Sequence, residues 1–263
     1  DVMLKKLRVL FAVVMGAVIT FYFLDFAGLT TGWPNLARIQ FVPALLAGGF
    51  GIVLILLVAT LLFGRIYCSV ICPLGVFQDA VSWFSGKQKK NRFRYSPALK
   101  WLRYGVLAVF ILALVAGLNA FVVLLAPYSA YGRMVSSLLA PVWQWGNNLL
   151  AYFAERAESY AFYEVDVWMK SLSTLIIAVI TLIVLFVLAW RNGRTYCNTI
   201  CPVGTVLGFI SRYSIFKPVI DTSKCNSCGL CARNCKASCI NAKAHEIDYS
   251  RCVACMDCLG KCK

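Results

Sequence analysis

Hydrophobic positions in this chain fall in long unbroken blocks, not in the alternating or every-third-residue stripes of a water-soluble fold. Four blocks, roughly Leu7–Phe26, Phe41–Phe63, Gly105–Ala126 and Ser171–Trp190, each reach the ~20 helical residues that cross a bilayer. The second runs 23 residues without a charge, and its Pro43 and Gly48–Gly49 are tolerable where a neighbouring helix packs closely. The first follows Lys5, Lys6 and Arg8 as a secretory leader would. Its apolar run is too long for a leader, and no small-x-small cleavage site follows, so it reads as a span. Beyond Trp190 the pattern changes to short polar segments dense in cysteine. The expectation is an all-α integral membrane protein of four transmembrane helices, with a small α+β domain at its C-terminal end.

Charge orients the spans. The 263 residues are 60% hydrophobic and 14% charged, with a formal charge of +15. Residues 1–8, the 64–104 loop and everything after Trp190 hold 22 basic and 6 acidic residues. Asp25 and the 27–40 and 127–170 loops hold 4 basic and 5 acidic residues. By the positive-inside rule the first group is cytoplasmic, both termini included. Topology and attraction to anionic lipid headgroups account for the basic excess, so no nucleic acid is called for. All 13 cysteines then lie on the cytoplasmic side, where thiols stay reduced. Metal or redox chemistry is expected there, not a disulfide framework. The single His245 excludes a bis-His haem within the chain.

The tail carries the spacing C-x2-C-x2-C-x3-C at Cys225, Cys228, Cys231 and Cys235, repeated 27 residues later at Cys252, Cys255, Cys258 and Cys262. This is the bacterial two-cluster ferredoxin pattern, in which the fourth cysteine of each run ligates the other cluster. Cys225, Cys228, Cys231 and Cys262 are therefore assigned to one 4Fe–4S cluster. Cys252, Cys255, Cys258 and Cys235 are assigned to a second. Zinc sites instead use CxxC pairs separated by longer loops. Lys236 and Lys263 stand where the ferredoxin pattern usually has proline. Cys239, a ninth thiol in the tail, is expected to be a small buried filler, with exchange for a ligand as the alternative.

A second repeat lies at the span ends. GRIYCSVICPLG (64–75) and GRTYCNTICPVG (193–204) place Cys68 and Cys72 each 129 residues before Cys197 and Cys201. Two helix hairpins ending in one motif give three expected units: residues 1–104, 105–218 and 219–263. Pro73 and Pro202 disfavour α geometry at the preceding cysteine and suit the first turn of a new helix. The segments Leu74–Phe84 and Val203–Phe216 look amphipathic, as helices lying along the inner surface would. Cys72 and Cys201 would then sit at helix N-termini, with Arg65 and Arg194 adding positive charge. Three readings stand open for the four thiols: a tetrathiolate site holding a third iron–sulfur cluster, redox-active dithiols, or thiols packed at a helix break.

Two CxxxCP motifs at inner span ends, followed by the eight-cysteine tail, resemble the NapH/NosR group of membrane iron–sulfur proteins over residues 40–263. The similarity is greatest to the NapH type, a four-span quinol dehydrogenase component in nitrate respiration. NosR-type proteins add a periplasmic flavin domain, and the similar CcoG-type accessory proteins an extra C-terminal domain; neither reads in these 263 residues. The resemblance implies an oxidoreductase component of the bacterial inner membrane. It would pass electrons between the quinone pool and other redox subunits of a respiratory-type complex. Alternatives are electron input from a cytoplasmic ferredoxin or dehydrogenase, a CcoG-like metal- or thiol-reducing assembly factor, and a membrane anchor.

Quinone chemistry needs an apolar slot with proton-handling groups. The 127–170 loop offers Tyr128, Tyr131, Trp143, Trp145, Tyr152, Tyr160, Tyr163 and Trp168, with Arg133, Glu155, Glu158, Glu164 and Asp166 as polar partners. An interfacial aromatic belt or a docking face explains the same residues. Asp79, Tyr67 and Tyr196 beside the CxxxCP motifs offer a second slot. Nucleophilic triads, phosphate loops and paired catalytic carboxylates are absent.

Overall fold

Apolar runs with no water to satisfy their backbone fold as helices, whose hydrogen bonds close within the segment. The computed structural model describes residues 2–24, 36–86, 93–156, 163–167 and 171–261. Two of its helices are long and apolar enough to cross a membrane: Met3–Leu24, within α1 (Val2–Leu24), and α9 (Leu172–Asn192).

The other two expected spans are not continuous helices. Phe41–Phe63 divides into α2 (Phe41–Leu46) and α3 (Phe50–Phe63). Gly48 takes φ +70 there, and Gly49 N–H closes on Ala44 O, a left-handed stop that only glycine adopts cheaply. Gly105–Ala126 divides into α5 (Lys100–Val115) and α6 (Asn119–Leu125), again at a left-handed glycine, Gly117. Extended Ala126 and Pro127 then bend the chain by 80° between α6 and the helices over Pro127–Arg156. The expected aromatic loop from 127 is thus helical as far as Arg156: α7 (Pro127–Met134), a wide turn over Val135–Leu139, and α8 (Ala140–Arg156). Tyr128, Ala130 and Met134 are buried on it, so α7 is part of the core.

The 129-residue repeat is visible in the backbone. α3 and α9 both end on a left-handed glycine, Gly64 (φ 72) and Gly193 (φ 69). Each is followed by one short turn, Tyr67–Ile71 in the first half and α10 (Thr195–Thr199) in the second. Each turn leads into a proline-started helix, α4 (Pro73–Gly86) or α11 (Pro202–Ile210). α4 packs on α1, α7 and α9, while α11 packs on α3 and α5, so the two motif helices fill the centre.

The tail is a small α+β unit: α12 (Leu230–Arg233) and one antiparallel pair, β1 (Ile240–Asn241) with β2 (Glu246–Ile247). The segment leading into it is tied to the C-terminal end of α3, Ile215 N–H on Leu61 O and Phe216 N–H on Leu62 O.

Candidate metal centres

The first centre is made by the two CxxxCP motifs together. Cys72 N–H reaches back to Tyr67 O (2.9 Å) and Cys201 N–H to Tyr196 O (3.0 Å), the same five-residue closure in both halves. The residue before proline is driven out of the α region, and Cys72 and Cys201 take ψ 114 and 118. That places each at the cap of the following helix, where Gly204 N–H points at Cys201 Sγ (3.4 Å). Cys68, Cys72, Cys197 and Cys201 are all buried, with 3–4% exposure, and every pair among them lies within electrostatic reach.

The halves are cross-braced. Arg65 Nη2 donates to Cys197 O (3.1 Å), and Arg194 Nη1 donates to Cys68 O. Each arginine thus caps the turn of the other motif, and both are fully buried. Gly75 and Gly204 make the crossing fit. A Cβ at either would overlap the carbonyl oxygen of Cys68 or Cys197 and stand 2.8 or 2.7 Å from the crossing guanidinium. Gln78 Nε2 donates to Cys197 Sγ (3.3 Å), and Asn198 Oδ1 accepts from Arg65 Nη1 (2.7 Å). Gln40 Oε1 accepts from Tyr67 OH (2.8 Å). Sequence reasoning missed these three amides: the Gln78 and Asn198 contacts form only when the two halves dock, and Gln40 meets Tyr67 through the fold of the first half.

In the tail, the two CxxCxxC loops share a backbone pattern that suits sulfide and thiolate. Ser227 and Ala254 occupy equivalent positions at φ 56 and 49, and Gly229 and Met256 follow at φ 69 and 59. Left-handed residues in such turns aim successive N–H groups into a concavity that binds anions, iron–sulfur sulfurs among them. Three non-glycine residues accept that strained conformation, which the loop's shape demands. One concavity is lined by Cys235, Cys252, Cys255 and Cys258, the other by Cys225, Cys228 and Cys231; Cys262 lies outside the described residues. Cys239 is buried, its sulfur 3.4 Å from Cys235 Sγ and hydrogen-bonded to Cys252, beside the first set. Among the described residues no three Cys, His, Asp or Glu side chains converge on a single metal ion. Cubane ligands each take a different iron and stand farther apart.

The substituted proline position at Lys236 acquires a reason; Lys263 lies outside the described residues. Lys236 Nζ bridges Asp257 Oδ2 (3.1 Å) and Asp79 Oδ1 (3.7 Å). Asp79 also accepts from Arg194 Nη2 (2.7 Å) and Arg8 Nη2 (2.5 Å), and Lys5 pairs with Asp257 (2.7 Å). Burial alone would raise the Asp79 and Asp257 carboxyls. The surrounding cations, Arg194 first for Asp79 and Lys236 first for Asp257, hold both below the ordinary range. Burial works against the Lys236 ammonium, and the two carboxylates overcome it.

Of the aromatic quinone candidates, Tyr128 and Tyr131 turn inward, Tyr128 against the Phe23 ring (5.0 Å) and Tyr131 OH on Thr20 (2.7 Å). Arg133 donates to Val123 O and Leu124 O and lies within electrostatic reach of Tyr196. Trp143 is half-buried; Trp145, Tyr152, Glu155, Tyr163, Glu164 and Asp166 are exposed. Glu158, Tyr160 and Trp168 lie outside the described residues.

Comparison with known proteins agrees with this geometry. A family model described as a 4Fe-4S binding domain matches residues 45–91 and 173–221, each stretch bracketing one CxxxCP motif. The ferredoxin-type protein NapH of Haemophilus influenzae is 27% identical over 217 residues, 81% of this chain and 63% of NapH. The methylamine utilization ferredoxin-type protein MauN of Paracoccus denitrificans is 27% identical over 207 residues, 78% of this chain and 56% of MauN. The regulatory protein NosR of Stutzerimonas stutzeri is 22% identical over 200 residues, 75% of this chain and 23% of NosR. The chain thus spans less than two thirds of the length of each of these relatives. No solved structure matches. With its repeated, interlocked CxxxCP pair inside the stretches matched by the 4Fe-4S binding domain model, the chain is similar to ferredoxin-type iron–sulfur proteins of the NapH and MauN kind.

Proposed function

We propose that the chain is a membrane electron-transfer subunit linking the quinone pool to a redox partner through iron–sulfur clusters. The observation that carries this reading is the docking of the tail's inner cysteine set against the buried four-thiol site. Arg65 Nη1 contacts both Asn198 and Ser250 O, two residues from Cys252, and Arg8 Nη1 contacts Cys255 O. Cys228 is exposed and Cys225 and Cys231 are half-buried, whereas Cys235 and Cys255 of the other set are buried. The order is then a solvent-side set, an inner set, and the CxxxCP site at the membrane.

In this reading Cys225, Cys228, Cys231 and Cys262 hold one cluster and Cys252, Cys255, Cys258 and Cys235 a second. Cys68, Cys72, Cys197 and Cys201 hold a third. Bound clusters supply one-electron transfer. The chain excludes water from the innermost thiols, and Arg65 and Arg194 set positive charge beside them. Burial of all four thiols argues against a dithiol that must meet a substrate. Four spans in two hairpins, with both termini and the cysteines on the cytoplasmic side of a bacterial inner membrane, follow from the basic asymmetry. The shorter α3 and the pair α5–α6 then complete the second and third passes.

Two measurements test this. Adding quinol to the oxidised, anaerobic protein should bleach its visible iron–sulfur absorbance. No bleaching by any quinol would sink the quinone link and leave a soluble donor at the exposed set. Separately, Cys68→Ala and Cys197→Ala should each remove about four irons and four sulfides of about twelve, while both tail clusters remain. Unchanged iron and sulfide would rule out the third cluster.

A further inference from the structure

Lys5, Arg8, Arg65, Arg194 and Lys236 are spent on the contacts described above; Arg94 and Arg191 are not. Arg94 and Arg191 have no carboxylate, carbonyl or ring partner among the described residues. Both line one cavity of about 540 Å³, within the size range of small-ligand sites. Arg251 forms a third basic wall, its guanidinium fixed on Ser96 O, Ser96 Oγ and Ala237 O. No carboxylate among the described residues lines the cavity, and Asn192 and Ser238 are among its polar lining residues. A cavity with three guanidinium groups and no acid is an electrostatic well for anions. Planar forked donors favour phosphate over a simple halide. Arg191 closes the last turn of α9, a membrane-length helix, at the level where lipid headgroups lie.

We infer that this cavity binds a phosphate-bearing anion, held by Arg94 and Arg191 over the fixed Arg251. The phosphate comes from an anionic phospholipid headgroup or from a soluble phosphate compound. The cavity holds no cysteine, although Thr195, Asn198 and Thr199 of the second CxxxCP motif line one side of it, and the proposal stands whether or not the electron-transfer reading does.

The test uses delipidated full-length protein in uncharged detergent, read by native mass spectrometry with phosphatidylglycerol, phosphatidylcholine or inorganic pyrophosphate added. The wild type should retain phosphatidylglycerol or pyrophosphate, and phosphatidylcholine weakly. The double variant Arg94→Gln/Arg191→Gln should lose retention more than about tenfold, since two charge-assisted contacts are removed. Lys6→Gln/Lys243→Gln, which removes the same charge elsewhere, should retain it. Lipid held against excess pyrophosphate identifies a headgroup; pyrophosphate displacing the lipid identifies a soluble compound. Equal retention of the two lipids without pyrophosphate binding, or retention unchanged in the Arg94→Gln/Arg191→Gln protein, overturns the proposal. Wild-type visible absorbance in each variant certifies that it has folded with its clusters.

Discussion

Gly75→Ala should strip the protein of its four-thiol site, and Gly204→Ala should do the same from the other half. The added methyl meets the carbonyl oxygen of Cys68 or Cys197, which is backbone and has no rotamer to yield. Neither helix can retreat. Pro73 or Pro202 fixes its first turn, and the crossing guanidinium, 2.8 or 2.7 Å from the new Cβ, packs the remaining side. Overpacking of this kind costs about 1–3 kcal/mol where a core can adjust, and more where it cannot. Because Arg194 caps the Cys68 turn and Arg65 the Cys197 turn, displacing either arginine opens the opposite motif as well. The expected result is a loss of about one third of the iron, by the proposed stoichiometry, together with a lowered melting temperature. Gly105→Ala is the control, since a methyl there meets nothing within 4 Å. Full iron and an unchanged melt in Gly75→Ala would show that the crossing does not hold the site.

Much of this was legible in the residues. The apolar blocks mark helices, and the C-x2-C-x2-C-x3-C and CxxxCP spacings mark the thiols that the fold gathers. The break at Gly48 and the turn at Pro127 were also written in the sequence, but a block's length hides where a left-handed glycine ends a helix inside it. The aromatic stretch after Pro127 reads as a loop because its charges and aromatics obscure the apolar face that Tyr128, Ala130 and Met134 bury. Least legible were the crossing contacts. Arg65 and Asn198 are 133 residues apart, and Arg194 and Asp79 115 apart. Nothing local in either segment demands the pairing; it arises when the two repeats dock face to face. Lys236 shows the same limit, since its departure from the ferredoxin pattern is visible in sequence and its partners are not.

Asp79→Ala should separate the tail from the membrane base. The carboxylate accepts from Arg194 through both oxygens and also meets Arg8 and Lys236, so its removal leaves buried cations facing one another. Breaking a buried pair from one side costs about 3–5 kcal/mol, most of it the uncompensated charge. Lys236→Met keeps the apolar stem and leaves Asp79 its two arginines, so the loss should be smaller, about 1–2 kcal/mol. The double variant should lose less than the sum, because each single change removes the same contact. The readout is protease cutting in the segment before Cys225 alongside the visible absorbance: Asp79→Ala should be cut early while the tail clusters persist. Acid response gives a second check. Asp79 and Asp257 are held below their ordinary range, so the clamp's contribution is full above about pH 4 and disappears only as pH falls through the depressed values. A clamp already loosening between about pH 8 and 6, or protease resistance unchanged in Asp79→Ala, would mean that other contacts hold the tail against the CxxxCP site.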